Sequence, residues 1–182
     1  MITFDEAIQK IRELPVYHIK IGVFDGQADR DEDDKDEKGN PKTHSEKPNE
    51  EYTVGINNAQ LMFIHENGSP LRNIPARPVL NMTLEWANKN GVTLGAQRRA
   101  IQAYIMSNFD ISKLEDELNR FCMRLEDYAK DIIYSNDGRL APNAESTIKR
   151  KRLHVNHPLF DTGQLARSIT CRLVRADGTG KE

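Results

Sequence analysis

Five groups of residues have types and spacings that could do chemistry. They are His65-Glu66, His154 with His157, the series Asp29, Asp31, Asp33, the hydroxyl of Ser168, and the basic run Lys149-Arg150-Lys151-Arg152. Each needs a partner set. His-Glu opens the helical zinc motif, whose second histidine falls four residues after the first on the same face; position 69 is a serine here. His18 and His44 lie far from the other histidines, and no paired cysteines complete a zinc set. The aspartate series begins like a calcium loop, but that loop needs glycine at its sixth position and glutamate at its twelfth, where the chain has Asp34 and Asn40. Ser168 lacks the Gly-x-Ser-x-Gly elbow that would expose a nucleophile. No glycine immediately precedes a Lys-Ser or Lys-Thr pair, as a phosphate loop requires. The expectation is a protein that is not an enzyme and uses no metal and no cofactor.

The basic run has two readings. It could contact a nucleic-acid backbone through salt-dependent, sequence-blind charge pairing, or it could be a solvated or subunit-facing surface. Few aromatic residues accompany it, so it does not form a stacking platform for single strands.

The elements that would position these groups follow from periodicity. Thr3 and Glu6 form a capping-box pattern ahead of Phe4, Ala7, Ile8, Ile11 and Leu14 at helical spacing, and Pro15 stops that helix. Tyr17, Ile19, Ile21 and Val23 alternate with polar residues or glycine as in a half-buried strand, and Tyr52 to Ile56 is a second strand candidate. Asn57 or Asn58 can cap a helix through Ala59, Leu61, Met62, Ile64 and His65, with Gly68 past its end. Prolines 70, 75 and 78 make residues 69–78 an extended, proline-rich arm, because proline is excluded from helix interiors and central strands. Helices follow over about Val79 to Lys89 and Leu94 to Ser107. A long one starts after Asp110 or Ser112 and carries Leu114, Leu118, Phe121, Cys122, Leu125, Tyr128, Ala129, Ile132 and Ile133 on one face. It should pack across the sheet and end at Asn136-Asp137-Gly138. Near the C-terminus, Asp161, Thr162 and Gly163 form a turn that caps a short helix, and Ile169, Cys171 and Leu173 alternate as a closing strand.

Composition bounds the rest. A chain of 182 residues is expected to be one domain, 1–182. Its hydrophobic fraction of 37% and mean hydropathy of −0.69 leave part of it outside any packed core. That part is 25–51, a flexible acidic insertion loop with eleven acidic and five basic residues. A net charge of −2 gives no global attraction to nucleic acid or acidic lipid. Cys122 and Cys171 fall on apolar faces and read as reduced, buried thiols. The N-terminus has neither a basic start nor a long apolar run, and no segment approaches the ~20 apolar residues that span a bilayer, so an unsecreted chain without a membrane partner is expected. The fold class is α+β: a small mixed, mainly antiparallel sheet packed against several helices including one long helix, with a long acidic loop.

Three stretches then combine. They are Phe63-Ile64-His65-Glu66-Asn67-Gly68-Ser69-Pro70 leading into Asn73-Ile74-Pro75-Ala76-Arg77-Pro78-Val79-Leu80; Pro142-Asn143-Ala144-Glu145-Ser146-Thr147-Ile148-Lys149-Arg150-Lys151; and Pro158-Leu159-Phe160-Asp161-Thr162-Gly163-Gln164-Leu165-Ala166-Arg167-Ser168-Ile169. In this order the chain from Ala59 to Val174 resembles the tail-component and virion-morphogenesis proteins of tailed bacteriophages. Those read "IHE-G", "IPARPFL", "ST-ARK" and "PL-DTGQL--SI" in turn. The resemblance implies a structural virion protein of the neck or tail, a ring subunit at the head–tail junction acting as tail terminator, completion protein or connector. Its partners would be further copies of itself and other neck and tail proteins. Under that reading Ile74, Pro75, Ala76, Arg77 and Pro78 would contact a neighbouring subunit, and Asp161, Thr162 and Gly163 would form a structural turn. Lys149, Arg150, Lys151 and Arg152 would face a lumen crossed by DNA. The acidic insertion is longer than the family's usual link. The alternative is a nucleic-acid-binding module built on Lys149 to Arg152.

Overall fold

A computed structural model describes residues 3–26, 56–151 and 154–176. Nearly all of the acidic loop 25–51, the strand candidate at Tyr52 to Ile56 except for its last residue, and Arg152 lie outside the described residues. The fold is α+β, with seven helices and a two-stranded antiparallel sheet among the described residues. In chain order these are α1 Phe4–Arg12, β1 Tyr17–Gly22, α2 Asn58–Asn67, α3 Val79–Lys89, α4 Val92–Met106, α5 Ile111–Tyr134, α6 Glu145–Arg150, α7 Gln164–Ser168 and β2 Thr170–Arg175. The chain groups into two compact units, each assembled from separate stretches. One comprises Met1–Ile21, Glu85–Leu125 and Cys171–Glu182, the other Gly22–Leu84 and Glu126–Thr170.

The first unit holds the sheet and the first half of α5. Phe121 and Leu125 of α5 cluster with Ala87 and Ala96 against Ile19, Ile21 and Cys171, while Leu114 and Leu118 cluster with Ala100 and Tyr104 against Tyr17 and Leu173. The inward positions of β1 and β2 thus meet the apolar stripe of α5, as the two periodicities demand. Each buried Leu or Phe contributes roughly 1.5–3 kcal/mol. Ala96 and Ala100 of α4 are buried in these two clusters. Helix α1 carries the full capping box, with the Thr3 N–H donating to Glu6 Oε2 at 2.7 Å and the Glu6 N–H to Thr3 Oγ1 at 3.3 Å. Asp110 caps α5, its Oδ1 accepting the Ser112 N–H at 2.9 Å. The two cysteines form no disulfide; Cys122 is buried and Cys171 half-buried.

The second unit holds all three of the stretches singled out in the sequence. Helix α2 is capped by a reciprocal pair, Asn57 Oδ1 accepting the Gln60 N–H at 2.9 Å and Gln60 Oε1 accepting the Asn57 N–H at 3.1 Å. It packs against α7. The unit's buried apolar side chains include Met62, Val79, Ala129, Ile132, Ile133, Leu140, Leu165, Ala166 and Ile169, and its buried polar ones Asn58, Arg77, Thr83, Gln164 and Ser168.

The arm corrects the sequence reading. Its first half is not extended: Pro70–Arg72 is a turn of 3-10 helix, Asn73 takes a left-handed conformation with φ 52°, and Ser69 and Ile74 exchange both backbone hydrogen bonds at 2.8 and 3.0 Å. Proline at the first position of such a turn gives up an N–H that would have had no partner there, so it permits the turn. Only the stretch from Pro75 to Pro78 runs without regular structure.

Candidate interaction site around Arg77

Helix α2 ends at Gly68, whose φ of 74° turns the chain so sharply that an added Cβ would lie 2.8 Å from the Ala76 nitrogen and 3.0 Å from the Ile74 oxygen. The arm therefore returns alongside the end of α2, and the Arg77 N–H donates to the His65 carbonyl at 2.6 Å. That placement drives the Arg77 side chain inward, where it is only 4% exposed. Its Nε donates to Ala141 O at 2.7 Å and its Nη2 to Pro142 O at 2.8 Å and Asn143 Oδ1 at 3.3 Å, while Nη1 lies 3.4 Å from His65 Nδ1. A guanidinium is the one cation whose planar fork can reach that many acceptors at once. Its burial pushes its pKa down, yet an arginine stays charged at any physiological pH.

His65 responds to this company. Burial, with the charges of Arg77 and Lys151 added, lowers its pKa to about 4, so the ring is neutral near pH 7. With Arg77 donating toward Nδ1, the ring proton sits on Nε2.

Lys151 behaves like Arg77. Its ammonium donates to Phe160 O at 2.5 Å and to His157 O, pinning the loop that leads into α7. Burial lowers its pKa, while Asp161 acts in the opposite sense. His157 stacks on Phe160 with ring centroids 4.6 Å apart, and its Nε2 donates to Ile133 O at 2.7 Å. Phe160 in turn meets Tyr134 edge-on at 5.7 Å.

The Asp161-Thr162-Gly163 turn leads into α7 as expected, with one change. Gly163 is itself the cap, with φ 80°, and no side chain caps the helix. Asp161 is exposed, Thr162 Oγ1 accepts the Gln164 N–H at 3.4 Å, and Arg167 Nη1 donates to Thr162 O at 3.1 Å.

The three sequence stretches meet here. A cavity of about 670 Å³ is lined from α2 and the arm by Asn58, His65, Arg72 and Arg77, from the α6 region by Asn143, Ser146, Thr147 and Lys151, and from the turn by Phe160 to Leu165. An adjoining cleft of about 780 Å³ is apolar, walled by Ile56, Phe63, Ile64 and Ile74.

Of the residues singled out in the arm, Pro75 and Ala76 are exposed, Ile74 and Pro78 half-buried and Arg77 buried. The basic run is not a continuous surface either: Lys149 is exposed, Arg150 ends α6, and Lys151 turns inward. Sequence reasoning passed over Asn143 and the inward use of Glu66. The available signal for Glu66 was Pro78, which starts α3 without offering a capping side chain. Among the described residues no group of three or more His, Cys, Asp or Glu could hold a metal ion, and no helix is long and apolar enough to cross a membrane. Compared with known proteins, the chain matches no family model, no curated protein and no solved structure.

Proposed function

We propose that this protein is a structural virion component of a tailed bacteriophage, a subunit of a homo-oligomeric ring that completes or connects the tail at the head–tail junction. The observation that carries the reading is the meeting of the three motif stretches in one unit, around Arg77 and its cavity. The first stretch ends about sixty residues before the second begins, yet it lines the same cavity as the second and the third. The motif residues are also used architecturally: Glu66 caps α3, Arg77 ties the arm to the 141–143 segment, Lys151 holds the loop before α7, and Gly163 starts that helix. That usage suits a scaffold that presents surfaces to neighbours. Its partners are further copies of itself and other neck and tail proteins, closing head to tail as rings do. Lys151 is spent on carbonyls inside the chain, so it adds little to any contact with passing DNA. Native mass spectrometry of the purified protein, alone and with its neck partners, tests the proposal together with immunodetection in purified virions. A ring-sized species and a virion signal are expected; a strict monomer that never enters virions overturns it.

A further inference from the structure

Helix α1 meets the rest of its unit along one edge. The Tyr104 hydroxyl donates to Lys10 O at 3.4 Å, the Lys10 ammonium lies 5.3 Å from the Phe109 ring centroid, and Leu14, just past the helix, packs against Ala100, Tyr104, Leu114 and Leu118. No residue of α1 itself is buried. At 3.6 residues per turn, Phe4, Ile8 and Ile11 form a stripe turned away from the Lys10 edge. Phe4 is 79% and Ile11 39% exposed, and Ile8 is half-buried. An amphipathic helix with its apolar stripe left open is built to be covered. The charges beside the stripe say by what. Asp5 and Arg12 lie seven residues apart, so they share the flank opposite Lys10. Among the described residues neither forms an ion pair.

We propose that α1 pairs with α1 of a second copy of this chain, antiparallel about a two-fold axis near Ile8. Each Phe4 then lies against Ile11 of the second copy, and each Asp5 beside its Arg12. A two-fold contact must be self-complementary. In antiparallel helices each flank faces the same flank of its neighbour, so one acid and one base seven residues apart pair twice across the axis. A parallel pair would set that flank against the Lys10 edge, which is turned to its own chain. Residues 27–51 could lend Arg12 a carboxylate but could not cover the stripe, because Ala28, Pro41 and Pro48 are their only apolar residues. A nine-residue helix supplies less than the ~800 Å² per partner of a standard interface, so the pairing is weak and concentration-dependent. The inference is independent of the phage reading: a two-fold contact neither closes nor blocks a head-to-tail ring, and in a ring it would pair two rings.

Sedimentation equilibrium of the full chain tests this. Wild type is expected to pair reversibly between about 10 μM and 1 mM, as dimers or as rings of doubled mass. Phe4→Ser should weaken the pairing about tenfold or more. Asp5→Lys and Arg12→Glu should each weaken self-association about three- to tenfold, and an equimolar mixture of the two should pair more tightly than either alone, because each supplies the charge the other lacks. Should these changes fray α1, cross-linking in an otherwise unchanged chain decides. Mild oxidation should join copies of Ile8→Cys through that position and leave Glu13→Cys, on the opposite face of the helix, unjoined. The proposal is overturned if no paired species forms at about 1 mM, the result expected of a stripe covered by its own chain or kept for a different protein. It is also overturned if Phe4→Ser pairs as tightly as wild type, if the mixture pairs no better than its components, or if Glu13→Cys cross-links as readily as Ile8→Cys. A ring whose mass Phe4→Ser leaves unchanged would overturn the pairing and leave the ring itself standing.

Discussion

Oε1 of Glu66 accepts the backbone N–H of Asn81 at 2.8 Å, and its Oε2 accepts that of Leu80 at 3.0 Å, so one helix supplies the N-terminal cap of the next. The residue ahead of α3 is Pro78, which has no side-chain acceptor, and the first-turn donors would otherwise lack partners. A carboxylate at that end also complements the helix dipole. Glu66→Ala should cost about 1–2 kcal/mol in urea denaturation and Glu66→Gln about half as much, since the amide keeps one acceptor. Equal midpoints for all three proteins would remove the cap from the account.

Gly68 and Gly163 both have positive φ, at 74° and 80°, but they differ in what surrounds them. A Cβ at Gly163 meets Arg167 Nη1 at 3.0 Å and Phe160 Cε2 at 3.3 Å, and the guanidinium can move aside. A Cβ at Gly68 meets backbone at 2.8 and 3.0 Å, which cannot. Gly163→Ala should therefore cost about 1–2 kcal/mol, the price of a left-handed alanine. Gly68→Ala should cost more and loosen the arm. The order of the two thermal midpoints checks this, and a reversed order would show that the arm backbone yields more easily than the α7 turn.

How much of this could be read from residues alone divides along a physical line. Elements set by local chemistry were legible: the Thr3 box, the Asn57 cap, the stripe on α5 from Leu114 to Ile133, and the glycine at position 163. Each depends on neighbours within a turn or two of chain. The direction of long polar side chains was not legible. Arg77 and Lys151 look like surface charges in a sequence, because nothing local records that carbonyls from residues 141, 142, 157 and 160 wait for them. The arm was misread as extended because proline's exclusion from regular structure says nothing about a 3-10 turn closed by Asn73. Of the candidate site, the three stretches were visible as motifs, and the buried Arg77 around which they meet was not.

The inward position of Arg77 changes how the arm should be probed. Arg77→Lys leaves a single ammonium to serve acceptors on Ala141, Pro142 and Asn143, and should cost about 2–4 kcal/mol because buried acceptors lose their donors. Pro75→Ala and Leu71→Ser lie on exposed positions and should leave stability within about 0.5 kcal/mol. If the arm contacts a neighbouring subunit, those two changes lower the fraction of assembled species in native mass spectrometry while the monomer still unfolds normally. Full assembly by both variants would confine the arm to a role within its own chain.

His65 makes the second unit sensitive to mild acid. Its pKa is lowered from 6.5 to about 4 by burial, then by Arg77 and Lys151, so the folded protein binds this proton more weakly than the unfolded chain does. The stabilising effect of keeping the ring neutral is complete above about pH 6.5. It is lost progressively as pH falls toward 4, with a limiting slope of about 1.4 kcal/mol per pH unit. Below about pH 4 both states are protonated and this contribution flattens. His65→Gln keeps an amide able to accept from Arg77 and cannot titrate, so it should remove most of the slope between pH 6.5 and 4 at modest cost near pH 7. Denaturation midpoints across that range, compared with wild type, measure the difference. Parallel pH profiles for the two proteins would falsify the assignment and move the acid sensitivity to other groups.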